Sequence, residues 1–243
     1  MELLKSVKAR SQKVNDKMHK NEFFFASKLS IYFSWIFINL KISANGVTAI
    51  FFITGLAGSV LFAFDDFILS LIAYSLWRLH AIFDLCDGEV ARFTQKFSIN
   101  GAYWDYMIHS ILYPATYILI LFSLYIKFSD VNFLYLGMVG SIIISQTLSV
   151  KNNYYRAMLF DGKKLDTTIS SNQRSAIRTN ILILFTSVLG FEGFIFLYTF
   201  SLFFEVNSEI YLIFILLYLI GFFLQSLIKF LLFSKKGFYE RKT

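Results

Sequence analysis

The feature that most constrains this chain is a succession of long apolar stretches. Six stand out, at 45–64, 67–87, 102–126, 133–150, 177–203 and 210–232. Each is close to the roughly 20 residues that an α-helix needs to cross about 30 Å of hydrocarbon. The runs are continuous rather than alternating, which excludes the short strands of a membrane β-barrel. Composition agrees. Of the 243 residues, 56% are hydrophobic and 16% charged, against roughly 45–50% and 25% in soluble domains. One Pro, one Cys and 12 Gly exclude disorder, collagen and a disulfide scaffold. The expectation is an all-α integral membrane protein with six transmembrane helices.

Charge sets the topology. Residues 1–20 are polar and basic and lack the apolar core and cleavage site of a signal peptide. Residues 23–40 are apolar but interrupted by Lys28, Ser30 and Ser34, and they read as an N-terminal amphipathic helix lying at the interface. Six spans then place 1–44, 88–101, 151–178 and 229–243 on one side, with 21 of the 23 Lys and Arg. The positive-inside rule makes that side cytoplasmic, with both termini there, in a cell (inner) membrane. The formal net charge of +7 is therefore mostly a topology signal. Nucleic acid is not an expected partner, whereas the basic N-terminus suits anionic lipid headgroups. The expected organisation is a cytoplasmic or interfacial segment at 1–44, one membrane domain at 45–233, and a cytoplasmic tail at 234–243.

Ionisable residues inside spans are costly and mark function. Here they cluster, in Asp84-Leu85-Cys86-Asp87-Gly88-Glu89-Val90-Ala91-Arg92 and, after eight residues, in Gly101-Ala102-Tyr103-Trp104-Asp105-Tyr106-Met107-Ile108-His109. Asp84 and Asp87 are three apart and share a helix face, as do Asp105 and His109, four apart. A short connection makes the two helices antiparallel neighbours. Three carboxylates and an imidazole then converge near the cytoplasmic edge. Carboxylates crowded in a low dielectric need a counter-charge, and oxygen ligands suit Mg²⁺ or Mn²⁺. Mg²⁺ is commonly shared with substrate phosphates, so a phosphate-bearing ligand is expected. Gly88 and Ala91 would admit it close to the backbone, and Arg92 offers a planar fork for phosphate.

These residues resemble the signature of the CDP-alcohol phosphotransferases, D-x2-D-G-x2-A-R-x8-G-x3-D-x3-D. The match covers Asp84, Asp87, Gly88, Ala91, Arg92, Gly101 and Asp105, and His109 stands in place of the last Asp. Asn45 and Thr48 resemble the family's Pro-Asn-x-x-Thr opening of the first span, with Ala44 replacing Pro. The resemblance implies an enzyme that transfers a phospho-alcohol group, such as phosphatidyl, from a CDP-linked alcohol to an acceptor hydroxyl, releasing CMP. CDP-diacylglycerol is a common donor of such enzymes. It implies metal ligation by Asp84, Asp87 and Asp105, with two ions, Mg²⁺ or Mn²⁺. It places Asp84, Gly88, Ala91, Arg92, Asn45 and Thr48 at the cytidine nucleotide. It puts the general base at His109, beside Asp105, and implies a homodimer.

The histidine leaves three readings open. His109 is a base or metal ligand; the base comes from elsewhere; or the site binds a CDP-alcohol without turning it over. Loss of one negative charge also puts the second ion in doubt. A small membrane transporter using the same acids is a further alternative. In the polar stretch 151–176 and the start of the next span, Lys151, Arg156, Arg174 and Arg178 match in position a basic acceptor-phosphate pocket of the family, or serve as topological charge. His80, four residues before Asp84, is a candidate partner for it or a packing residue.

Overall fold

The computed structural model describes residues 6–7, 26–160, 190–204 and 206–239. Among these there is no β-strand. The helices are α1 (Ala26–Asn39), α2 (Ala44–Leu61), α3 (Phe67–Thr94), α4 (Ile99–Phe128), α5 (Asn132–Phe160), α6 (Phe191–Ser201) and α7 (Ser208–Tyr239). Five stretches are long and apolar enough to cross a membrane: α2, α3, α4, Asn132–Val150 of α5 and Ser208–Ser234 of α7. Side chains such as Ile53, Ile68, Ile142 and Leu217 stand exposed along them, as lipid-facing residues do. Of the expected span 177–203, residues 177–189 lie outside the described residues, and α6 is its described part.

Three helices run well past the apolar stretches read from the sequence. Helix α3 continues past residue 87 to Thr94, α5 continues through the polar residues after 150 to Phe160, and α7 continues past 232 to Tyr239. In the first two, hydropathy falls while helix formers such as Glu, Arg, Ala and Met persist. An apolar window therefore ends before the helix does. Helix α3 stops where Gln95 turns into the left-handed region, φ 55°, and its N–H bonds back to Ala91 O.

The chain forms two compact units, Met1–Leu112 and Tyr113–Thr243. In the first, α3 is the central helix and uses two faces. Gly58 lies against Trp77, Gly55 against His80, and Thr48 reaches Asp87, so α2 and α3 run antiparallel in tight contact. A Cβ on Gly55 would come within 2.6 Å of His80 Nδ1, and one on Gly58 within 2.9 Å of Trp77 Cδ1. The two glycines thus set how closely the helices approach. The other face of α3 carries Phe83, Cys86 and Glu89 against α1. Phe33 and Phe37 meet Phe83 edge-on, and the Cys86 thiol donates to Ser30 O. The described part of α1 covers 14 residues, Ala26–Asn39.

Helix α4 starts parallel to α2. Asn45 faces Gly101, Phe51 stacks near His109, and Gly55 faces Leu112. Polar residues start α2, α3 and α4: Ser43 accepts from Gly46 N, Asp66 from Leu69 N, and Ser98 from Gly101 N. Each caps an otherwise unpaired N–H.

The second unit is an aromatic core. Phe194 packs on Tyr117, Phe214, Tyr218 and Phe222, and the hydroxyls of Ser123 and Tyr198 pair at 2.8 Å. Glu192 falls in the first turn of α6, where the helix dipole favours an acid.

Candidate metal centre

Helices α3 and α4 bring three ligand atoms together. His109 Nε2 lies 3.2 Å from Asp84 Oδ1 and 3.1 Å from Asp105 Oδ1. All three atoms fall within 4.8 Å of one another. Asp105 and His109 meet because they are one helical turn apart on α4; Asp84 joins them from the antiparallel α3. The side chains are partly buried, 22% exposed for His109 and 30% and 32% for Asp84 and Asp105.

The imidazole is held in a ring cage. His80 is fully buried and donates from Nδ1 to Phe51 O at 2.8 Å. Its ring stands edge-on to His109 at 5.7 Å, and the Phe51 ring stacks on His109 at 6.1 Å. His80 therefore contacts the His109 ring, and its Nδ1 bonds to α2 rather than to Asp84. A fixed ring plane is what aims a ligating nitrogen.

Asp87 stands outside the three-atom group. Its Oδ2 is 3.0 Å from Thr48 Oγ1, whose hydroxyl also lies 3.1 Å from Ala44 O. Thr48 is buried and has a single proton to give; the carboxylate is the stronger acceptor.

Beside this lies a cavity of about 290 Å³, lined by Asn45, Thr48, Ala49, Phe52, Gly101, Trp104 and Ile108. Trp104 and Ile108 immediately precede Asp105 and His109, and Thr48 bonds Asp87, so cavity and carboxylates share one wall. Gly101 packs closely here, since a Cβ would come within 3.0 Å of Asn45 Oδ1 and 3.2 Å of Ser98 Oγ. At Gly88 a Cβ would come within 3.0 Å of Arg92 Nη1. The guanidinium thus lies back over Gly88, one turn earlier on the same helix. Ala91, between them, is partly exposed.

Lys151 and Arg156 fall on α5, with Arg156 exposed, while Arg174 and Arg178 lie outside the described residues.

One feature went unread in the sequence. Glu89 is only 5% exposed, and both its oxygens accept hydrogen bonds, Oε1 from Ser30 at 2.8 Å and Oε2 from Ser34 at 2.6 Å. The signal was present. An acid beside the motif needs donors when buried, and two serines four apart on a neighbouring apolar helix supply them.

Two carboxylates and an imidazole on rigid helices are a donor set for a divalent cation. A scan against protein-family models matches none, and a search of curated proteins finds no match either.

Proposed function

We propose that this protein is a metal-dependent transferase that moves a phospho-alcohol group from a CDP-linked alcohol to an acceptor hydroxyl, with release of CMP. The observation that carries the reading is the convergence of Asp84, Asp105 and His109 beside a cavity that shares Thr48 with Asp87. The spacing of Asp84, Asp87, Gly88, Ala91, Arg92, Gly101 and Asp105 gives that convergence its meaning, through the resemblance to CDP-alcohol phosphotransferases.

The residues divide the work. Asp84, Asp105 and His109 would hold a divalent ion, which supplies neutralising charge for phosphate oxygens. Arg92, folded over Gly88, can swing a planar fork toward a phosphate without moving backbone. The N-termini of α2 and α4 open toward the same end as the cavity, where backbone N–H groups favour an anion. Phe52 and Trp104 offer flat apolar surface for a heterocycle or a lipid part. In the reaction, the acceptor oxygen forms a bond to the phosphorus that bears the donor alcohol. The bond from that phosphorus to the CMP oxygen breaks, and CMP leaves with the electron pair. The hydroxyl proton passes to the Asp105–His109 pair.

The test is CMP release by the purified full chain with CDP-diacylglycerol, Mn²⁺ or Mg²⁺, and a panel of alcohol acceptors. Acceptor-dependent release that disappears in Asp105→Asn supports the reading. Cytidine nucleotide binding with no release from any pairing points instead to a protein that binds without turnover. Cytidine-independent cation flux in sealed vesicles points to a transporter.

A further inference from the structure

We infer that Asp84, Asp105 and His109 form a one-ion centre with a nitrogen ligand, built for a borderline first-row divalent ion such as Mn²⁺ or Zn²⁺ in preference to Mg²⁺. The inference deepens the transferase reading and rests on it only in taking the site to work with a metal.

His109 Nε2 carries at most one hydrogen, yet it faces two carboxylate oxygens at 3.2 and 3.1 Å. The contact to Asp84 Oδ1 has hydrogen-bond geometry. Asp105 Oδ1 is itself buried and accepts no hydrogen bond. A buried carboxylate oxygen without a donor is costly, and one aimed at a ring nitrogen is more so when that nitrogen bears no proton. A cation removes both problems.

Spacing points the same way. Oxygen and nitrogen ligands sit roughly 2.0–2.2 Å from Mn²⁺- or Zn²⁺-sized ions, so two of them at tetrahedral or right angles lie about 3.0–3.4 Å apart. The two His109 distances, 3.2 and 3.1 Å, fall in that window before any ion is placed. The ring cannot easily turn away, because His80 and Phe51 hold it from two sides and the His80 ring packs where a Cβ on Gly55 would stand.

Ion number follows from Asp87. A two-ion centre, with ions about 3.5–4 Å apart, needs bridging carboxylates and separate terminal ligands. Asp87, the carboxylate that would extend the site, takes its hydrogen bond from Thr48 and lies outside the three-atom group. Ion type follows from His109, since imidazole suits first-row transition ions and Zn²⁺ far better than Mg²⁺.

The experiment is Mn²⁺ titration of the untagged, full-length, chelator-stripped protein in detergent. Electron paramagnetic resonance counts bound ions from the loss of the free Mn²⁺ signal, and pulsed measurements read nitrogen coupling on the bound ion. The expected result is one Mn²⁺ per chain with one nitrogen coupling, retained against about 100-fold Mg²⁺. In His109→Asp, with helix content confirmed by circular dichroism, the nitrogen coupling disappears and Mg²⁺ competes at least tenfold better. Two ions per chain, a bound ion without nitrogen coupling, or displacement by comparable Mg²⁺ overturns the inference. None of these readouts involves turnover. A nitrogen-ligated single ion in a protein that never releases CMP would leave the centre standing and remove the transferase.

Discussion

Glu89 accepts a 2.6 Å hydrogen bond from Ser34, which lies 55 residues earlier on a different helix. With Ser30 on the second oxygen, this carboxylate joins α1 to α3 at the turn of α3 that carries Asp87, Gly88 and Arg92. Helix α1 is thereby registered on the helix that supplies one of the three side chains of the candidate metal centre. The connection after α1 leads directly into Asn45 and Thr48, so its register bears on the cavity wall as well.

Removing one donor tests the latch. Ser34→Ala removes one donor from a buried carboxylate, at a cost of about 1.5–3 kcal/mol for a bond to a charged acceptor. The apparent unfolding midpoint in detergent should fall by several degrees. The double variant Ser30→Ala with Ser34→Ala should lose more than either alone. An unchanged midpoint in the double variant would show that Glu89 finds other partners.

Gly55 and Gly221 give a matched pair of opposite sign. Gly55→Ala drives a methyl to 2.6 Å from both His80 Nδ1 and Leu112 Cδ1, and overpacking of this kind costs about 1–3 kcal/mol. It also tilts the ring that backs His109, so bound-metal affinity should fall with stability. Gly221→Ala meets nothing within 4 Å and gains helix propensity of about 1 kcal/mol; its midpoint should hold or rise. Thermal midpoints of the two variants, measured side by side, decide this.

Thr48 separates shape from donor. Thr48→Val keeps the volume and removes the proton given to Asp87. Loss of a bond to a carboxylate, about 1.5–3 kcal/mol, corresponds to roughly 10–100-fold in affinity for a cytidine nucleotide or in turnover. Thr48→Ser should retain most of both. Equal behaviour of the Val and Ser variants in nucleotide titrations would exclude a role for the hydroxyl.

How far the sequence reaches is clear from these residues. Asp84, Asp105 and His109 were legible because a three- or four-residue spacing fixes a helix face, and a short connection fixes which helices meet. The fate of Asp87 was not. It shares a face with Asp84, but its partner Thr48 lies 39 residues away, and only the register of α2 on α3 sets that pairing. Nor did local spacing disclose that His80 serves His109 rather than Asp84, since the choice depends on a carbonyl of α2. Apolar stretches stop where charge begins, because hydropathy records lipid contact while hydrogen bonding carries the helix on to Thr94 and Phe160.

Gly88→Ala probes the guanidinium. The added methyl meets only the end of the Arg92 side chain, at 3.0 Å from Nη1, and a flexible terminus can move. Stability should therefore change by less than about 1 kcal/mol. Cytidine nucleotide affinity should fall, because the methyl occupies the place where Arg92 rests and where a ligand would approach the backbone. Calorimetric titration with CMP against the thermal midpoint separates the two effects; a loss of stability with unchanged CMP binding would contradict the assignment.

The most direct measurement of the central claim is CMP release by the purified protein with CDP-diacylglycerol, Mn²⁺ and a panel of acceptor alcohols, run beside Asp105→Asn, His109→Ala and His109→Asp. The account predicts acceptor-dependent release in the wild type, its loss in Asp105→Asn and His109→Ala, and activity with a shifted metal preference in His109→Asp. Release restricted to His109→Asp, or absent from every pairing while metal and cytidine nucleotide still bind, would contradict it.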